Sequence, residues 1–313
     1  MTIALVFPGQ GSQAVGMGVD LAGSFSVARE TFEEVDESLK QNLFKLMSEG
    51  PIETLTLTEN AQPAIMSVSL AIMRVLEREG GFEITDKALF VAGHSLGEYS
   101  ALAAVGSFTL SEAAQLLKTR GKAMQEAVPV GEGGMAALLG ANLDLAIKLS
   151  EAASEGEVCS PANDNADDQV VISGNASAID RAVALAPEFG IKRAIPLTVS
   201  APFHCAMMAP AAVAMQEALA KIDVAPPLVP LVANITAKPV QEPDIICRQL
   251  VQQVTGMVRW RESVLQMKEE GVDKLVEIGA GKVLGGLLRR IDKEMSAASI
   301  SDPKGVEKFL LSL

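Results

Sequence analysis

Cysteine is scarce in this sequence, and so are aromatic side chains. The three cysteines, Cys159, Cys205 and Cys247, cannot pair evenly and are too few for a disulfide framework, so a reducing, cytoplasmic setting is expected. Cys205 reads as a small packing residue. Positive charge is also in deficit. Against 39 Asp and Glu stand 26 Lys and Arg, a formal charge of -13, which disfavours any partner with a phosphate backbone. Nucleic acid is therefore not expected, and an acidic protein partner would need a local cluster of basic residues. No apolar run approaches the ~20 residues of a membrane span. No basic segment precedes the first apolar stretch, so no signal peptide is expected. Internal repeats and low-complexity segments are absent. Histidine occurs only as His94 and His204, which shortens any search for a general base.

What is present is a core. Hydrophobic residues make up 49% of 313, enough for one large domain or a large one with a small companion. Apolar runs at Ile3 to Phe7, Ala88 to Ala92, Leu231 to Asn234 and Lys274 to Ile278 read as strands, each followed by a turn. Helical spacing is expected over Phe25 to Leu46, from Pro63 to the Gly80-Gly81 pair, and over Leu96 to Val105, Leu110 to Glu126, Ala206 to Ile222, Ile245 to Val254, Arg261 to Glu270 and Val283 to Ile291. Repeated strand–turn–helix units imply a largely parallel sheet covered on both faces, an α/β fold. Between Pro129 and Val199 the rhythm changes. Strands at Met135 to Leu139, around Val158, at Gln169 to Ser173 and at Ile191 to Val199 alternate with helices at Leu143 to Ala153 and Ala176 to Ala186. That βαββαβ order suits a ferredoxin-like unit, with Asn163 to Asp168 as its hairpin loop. The expected organisation is a large domain of residues 1–128 and 200–313, interrupted by a small one at 129–199.

The chemistry centres on Gly93-His94-Ser95-Leu96-Gly97. A strand that reverses directly into a helix strains the backbone of the turn residue and leaves its neighbours no room for a Cβ. Such a turn lifts a serine hydroxyl to a helix N-terminus, so Ser95 reads as a nucleophile. His94 follows the strand's alternation to the opposite face and is a poor base. His204 remains as the base. Asp144, Asp164 and Asp180 all stand open as residues to orient it, as does a backbone carbonyl. The Leu96 N–H comes with the turn as one oxyanion donor, and Gln10, between two glycines after the first strand, is placed to give a second. Gly279-Ala280-Gly281-Lys282 fits no phosphate-binding spacing and reads as a strand-to-helix turn.

Five stretches occur in order over nearly the whole chain. They are Phe7-Pro8-Gly9-Gln10-Gly11-Ser12-Gln13, Gly93-His94-Ser95-Leu96-Gly97-Glu98-Tyr99, Arg120-Gly121, Gln169-Val170-Val171-Ile172-Ser173-Gly174 and Pro202-Phe203-His204. Together they resemble the malonyl-CoA:acyl carrier protein transacylase family. The resemblance implies an α/β-hydrolase-like large domain interrupted by a ferredoxin-like small one. It makes Ser95 the acyl-accepting residue, His204 its base, and Gln10 and Leu96 the oxyanion donors. Arg120, which helix position alone would place on a solvated face, becomes the cation that pairs the malonyl carboxylate. Gln253 matches a family Gln whose backbone carbonyl steadies the His, although Met257 stands where the family often has Pro. Phe203 is the position at which, in related polyketide synthase domains, Phe goes with malonyl and Ser with methylmalonyl. The implied reaction is ping-pong, through a malonyl-serine, with malonyl-CoA as substrate and phosphopantetheine carried by acyl carrier protein. No metal and no permanently bound cofactor are implied. For a carrier that is itself acidic, Lys192, Arg193, Arg289 and Arg290 are the candidate basic patch. A serine thioesterase or hydrolase, a catalytically silent carrier-binding protein and a discrete polyketide acyltransferase are the rival readings.

Overall fold

The structure, a computed structural model, describes residues 2–312. Ten strands occur among these in chain order: β1 (Ile3–Phe7), β2 (Ala88–Gly93), β3 (Gly133–Leu139), β4 (Cys159–Ala166), β5 (Gln169–Asn175), β6 (Arg193–Pro196), β7 (Leu231–Val232), β8 (Pro239–Val240), β9 (Lys274–Ile278) and β10 (Ser296–Ile300). Six of them form one sheet in the order β10-β9-β1-β2-β7-β8, parallel from β10 through β7 with β8 an antiparallel edge. β1 is apolar at every position and buried throughout, because helices cover both faces of a parallel sheet. The helix Thr58–Arg78, carrying Ile65, Val68, Ile72 and Leu76, is the main buried rod on one face. Trp260, Val264, Leu284 and Leu288 close the other.

The remaining four strands form an antiparallel sheet, in the order β4-β5-β3-β6. Its strands keep the period of two. Ala136, Leu138, Val170 and Ile172 pack on Leu149 and Ile179 of the two helices that follow β3 and β5. Met135, Ala137 and Val171 face the other way and join the main core. The second sheet is thus sealed to the first by apolar side chains. Two backbone bonds between β4 and the Val258 segment add to this, Asp164 N to Val258 O and Val258 N to Ala162 O, both 2.9 Å.

Several elements differ from the sequence expectation. The helix expected over Phe25 to Leu46 is two, Ser26–Leu39 and Leu43–Glu49, because Lys40 takes a left-handed conformation at φ 50°. The helix expected from Pro63 begins at Thr58, so Pro63 lies inside it. The polar run Asn163 to Asp168 is mostly strand, with β4 reaching Ala166 and only Asp167 and Asp168 left to turn. Its polar residues are held by partners outside their own sheet, among them Arg261 on Asp164 at 3.0 Å. β6 is shorter than expected, and the helix after His204 starts as a 3-10 turn at Ala206–Met208. β10 and the terminal helix Pro303–Leu310 escaped the periodicity because Ser296 to Ile300 is rich in small residues.

Candidate active site

The carboxyl ends of the parallel strands gather the predicted residues at one edge of the large sheet, where such sheets bind ligands. β1 delivers Gln10, and β2 delivers Ser95. Ser95 sits at φ 54°, in the left-handed region, and the helix Gly97–Ala104 starts beside it. The turn is possible only with glycine on both sides. A Cβ on Gly93 would lie 1.9 Å from the Gly97 carbonyl, and one on Gly97 would lie 2.2 Å from the Phe7 oxygen. Asn234, just past β7, holds the turn from below. Its side-chain oxygen accepts from the Ser95 N–H at 2.8 Å, and its amide donates to the Gly93 carbonyl at 2.7 Å.

Ser95 Oγ lies 2.8 Å from His204 Nε2. His204 Nδ1 faces two carbonyl oxygens, Gln253 at 2.8 Å and Gly256 at 3.2 Å. Carbonyls only accept, so Nδ1 carries the proton and Nε2 is left bare to accept the serine O–H. Burial, reinforced by the Arg120 charge, pushes the His204 pKa down to about 3, which keeps the ring neutral at ordinary pH. None of the three candidate aspartates touches it, and Asp164 is bound instead to Arg261. His94 is occupied elsewhere, with Nε2 on Asn165 Oδ1 at 2.9 Å and its ring 5.7 Å from that of Trp260.

Arg120 is 1% exposed and sits over the Tyr99 ring, 5.6 Å from its centroid. Nη2 donates to Ser95 Oγ at 3.1 Å and to Gln253 Oε1 at 2.8 Å, while Nη1 donates to Gln62 Oε1 at 2.8 Å. Among the described residues no carboxylate lies within 4 Å of this guanidinium, and its Nε has no partner. Every other group it touches is neutral. Glu98 is the nearest carboxyl in the network, and it reaches Gln253 Nε2 at 2.5 Å. Burial raises the Glu98 pKa to about 7.

A cavity of about 350 Å³ opens over Ser95, with Gln10, Arg120 and Phe203 in its wall and Met135 and Val199 contributed from the side of the second sheet. The N–H groups of Gln10 and Leu96 donate to no protein acceptor among the described residues. Of the residues given site roles in the sequence, Gln10, Ser95, Arg120, Phe203 and His204 line this cavity, Gln253 stands behind it on Arg120 and His204, and Leu96 follows Ser95 in the turn. Sequence reading missed Gln62, Asn234 and Glu98, and saw in Gln253 only its backbone. Gln62 precedes a proline that reads as a helix start, so nothing in the sequence marks it as lying inside the helix Thr58–Arg78. Glu98 follows the turn, and nothing in the sequence signals a role for it.

Comparison with known proteins agrees with this geometry. The acyl transferase domain family matches residues 4–301. The malonyl CoA-acyl carrier protein transacylase of Escherichia coli K12 is 45% identical over 307 residues, covering 98% of each chain. The solved acyl-carrier-protein-S-malonyltransferase of Bartonella henselae superposes with a TM-score of 0.97 at 50% identity, covering 100% of this chain and 99% of that one. A solved malonyl-transacylase in complex with a type II polyketide acyl-carrier protein superposes at 0.96 with 41% identity and full coverage of both chains. On this full-length kinship, the chain belongs to the acyl transferase family.

Proposed function

We propose that this protein moves malonyl from malonyl-CoA to the phosphopantetheine thiol of the acyl carrier protein of fatty acid synthesis, through a malonyl ester on Ser95. His204 Nε2 takes the Ser95 proton as Oγ attacks the thioester carbonyl. The free N–H groups of Gln10 and Leu96 receive the oxyanion, and CoA leaves with the proton returned by His204. The carrier's thiol then repeats the sequence in reverse, giving up its proton to His204 and taking the acyl group. Gln253 O and Gly256 O hold the imidazole in the tautomer both halves need.

The observation that carries the reading is Arg120. A fully buried guanidinium aimed at the nucleophile, and lacking a carboxylate of its own, is a seat for the carboxylate of an acyl group. Phe203, in the wall of the same cavity, supports malonyl over branched acyl groups. No cofactor need stay bound, and the reaction belongs in the cytoplasm. Lys192, Arg193, Arg289 and Arg290 are all exposed and suit an acidic carrier, although Arg290 also pairs with Asp168 at 2.7 Å. We also read residues 129–199 as a ferredoxin-like unit inserted into an α/β-hydrolase-like one of 1–128 and 200–313. The fourth-first-third-second order of its strands supports this.

Intact-protein mass spectrometry tests the reaction directly. Malonyl-CoA should add one malonyl group to the wild type and none to Ser95→Ala, and holo carrier should then remove it. An adduct that decays to free malonate at the same rate with or without carrier would instead make the protein a hydrolase.

A further inference from the structure

A line of hydrogen bonds leads from the guanidinium to the loop after β1, and its direction is fixed at every link. Arg120 has only donors, so Gln62 must turn Oε1 toward Nη1. That leaves Gln62 Nε2 to donate to Thr58 Oγ1, at 2.9 Å. The single O–H of Thr58 is then free to donate onward, and it reaches Gln10 Oε1 at 2.9 Å. Gln62 and Thr58 are 1% and 0% exposed, so water does not compete for the bond between them. Gln10 stands between Gly9, whose carbonyl accepts from Ser12 Oγ at 2.8 Å, and Gly11, whose N–H donates to Gln13 Oε1 at 2.7 Å, so its neighbours are tied and its own side chain sets what remains of its placement. Among the described residues its bond from Thr58 is the only hydrogen bond it makes.

We infer that Thr58 is a positioning residue, linking the carboxylate seat at Arg120 to the placement of the Gln10 N–H, so that malonyl is favoured in the maximal rate of acylation as well as in binding. The inference rests on the roles proposed above for Arg120 and Gln10. A carboxylate that pairs with Arg120 fixes the guanidinium, which fixes Gln62, Thr58 and the Gln10 loop in turn. A neutral acyl group makes no such pair: the guanidinium then has only Ser95 Oγ and Gln253 beside Gln62, the partners with which the line is already complete here, and it loses the first of them as Oγ attacks, so the line is least restrained when the oxyanion forms. Binding energy gained away from the reacting carbon is thereby used at the oxyanion.

Single-turnover acylation of Ser95, followed by quenched intact-mass measurement over a range of malonyl-CoA and acetyl-CoA concentrations, tests this. Thr58→Val keeps the shape and removes the hydroxyl. It should lower the maximal malonyl rate on the order of tenfold, leave half-saturation within about threefold, and change the acetyl rate by less than about twofold. Thr58→Ser should restore the malonyl rate. Gln10→Ala severs the same line at its partly exposed end and keeps the backbone N–H; whatever it costs acylation in general, it should lower the malonyl rate more than the acetyl rate. It decides the matter should the buried variant fold poorly. A ratio unchanged in both variants, or equal losses for the two acyl groups, overturns the link while leaving the malonyl reading in place. Wild-type protein that takes no malonyl at all overturns both.

Discussion

A guanidinium buried without a counter-charge is costly, and Arg120 is held in place by two carboxamides and an aromatic face. Arg120→Ala should therefore cost malonyl acylation roughly 1.5–3 kcal/mol, the worth of a charge-assisted hydrogen bond, while acetyl acylation is kept or gains. Competition among malonyl-, methylmalonyl- and acetyl-CoA for Ser95 measures this. Equal loss with all three would make Arg120 a packing residue. In the same assay Phe203→Ser should narrow the preference over methylmalonyl, an effect of about 1–3 kcal/mol for one methyl group. His204→Ala should leave the fold intact and slow acylation by several orders of magnitude, since an unassisted serine is a weak nucleophile. Glu98 and His204 also oppose each other in the pH dependence of stability. Between pH 4.5 and about 7 the folded state holds the Glu98 proton that the unfolded state has lost, so this group's contribution falls as pH rises. Between about 3 and 6.5 the unfolded state holds a His204 proton that the folded state lacks, so that contribution rises with pH. Glu98→Gln removes only the first. Relative to wild type its stability should climb from pH 4.5 to 6.5, by up to about 1.4 kcal/mol per unit. Urea midpoints across that range read the slope, and parallel curves would mean that Glu98 ionises normally.

At the scale of elements, the site depends on how closely two helices approach. A Cβ on Gly121 would sit 2.5 Å from the Thr58 carbonyl, so the helix Leu110–Glu126 lies directly against the start of Thr58–Arg78. Gly to Ala inside a helix ordinarily gains about 0.5–1 kcal/mol. Here Gly121→Ala should instead lose about 1–3 kcal/mol by overpacking, and malonyl acylation should fall with it as Gln62 and Arg120 are pushed apart. A raised melting temperature would refute that contact. The same pairing shows why part of the site was legible in sequence and part was not. Ser95 and its glycines are a local steric solution, so five consecutive residues display it. The helix Leu110–Glu126 has the bounds its sequence leads one to expect, and a capping box of Thr109 and Glu112 opens it. Gln62, Asn234 and the Gln253 side chain acquire meaning only where three elements meet, and nothing in their neighbours signals it. Pro63 misplaced its helix start because a proline five residues in mimics one at the first turn.

For the whole molecule, the decisive arrangement is the second sheet packed against the main core, with Met135 and Val199 on its side in the wall of the site. Arg261 bridges the two sheets through Asp164, whose side chain is fully buried. Removing only the cation, as in Arg261→Met, leaves that carboxylate unpaired and should cost about 3–5 kcal/mol. Replacing both, as in Arg261→Met with Asp164→Leu, should recover most of it. Chemical denaturation of the two variants distinguishes a paired charge from a merely close one, and equal losses would count against the bridge. The cavity over Ser95, about 350 Å³, is near the small end of ligand sites. It has room for an acyl group and the slender thiol arm that CoA and the carrier share, while the nucleotide of one and the protein of the other must stay outside. Donor and acceptor therefore queue for a single berth and look alike from within it. The protein has no built-in sense of direction: which way malonyl travels is decided by the traffic of the two carriers, and an excess of loaded carrier with free CoA should run it backward.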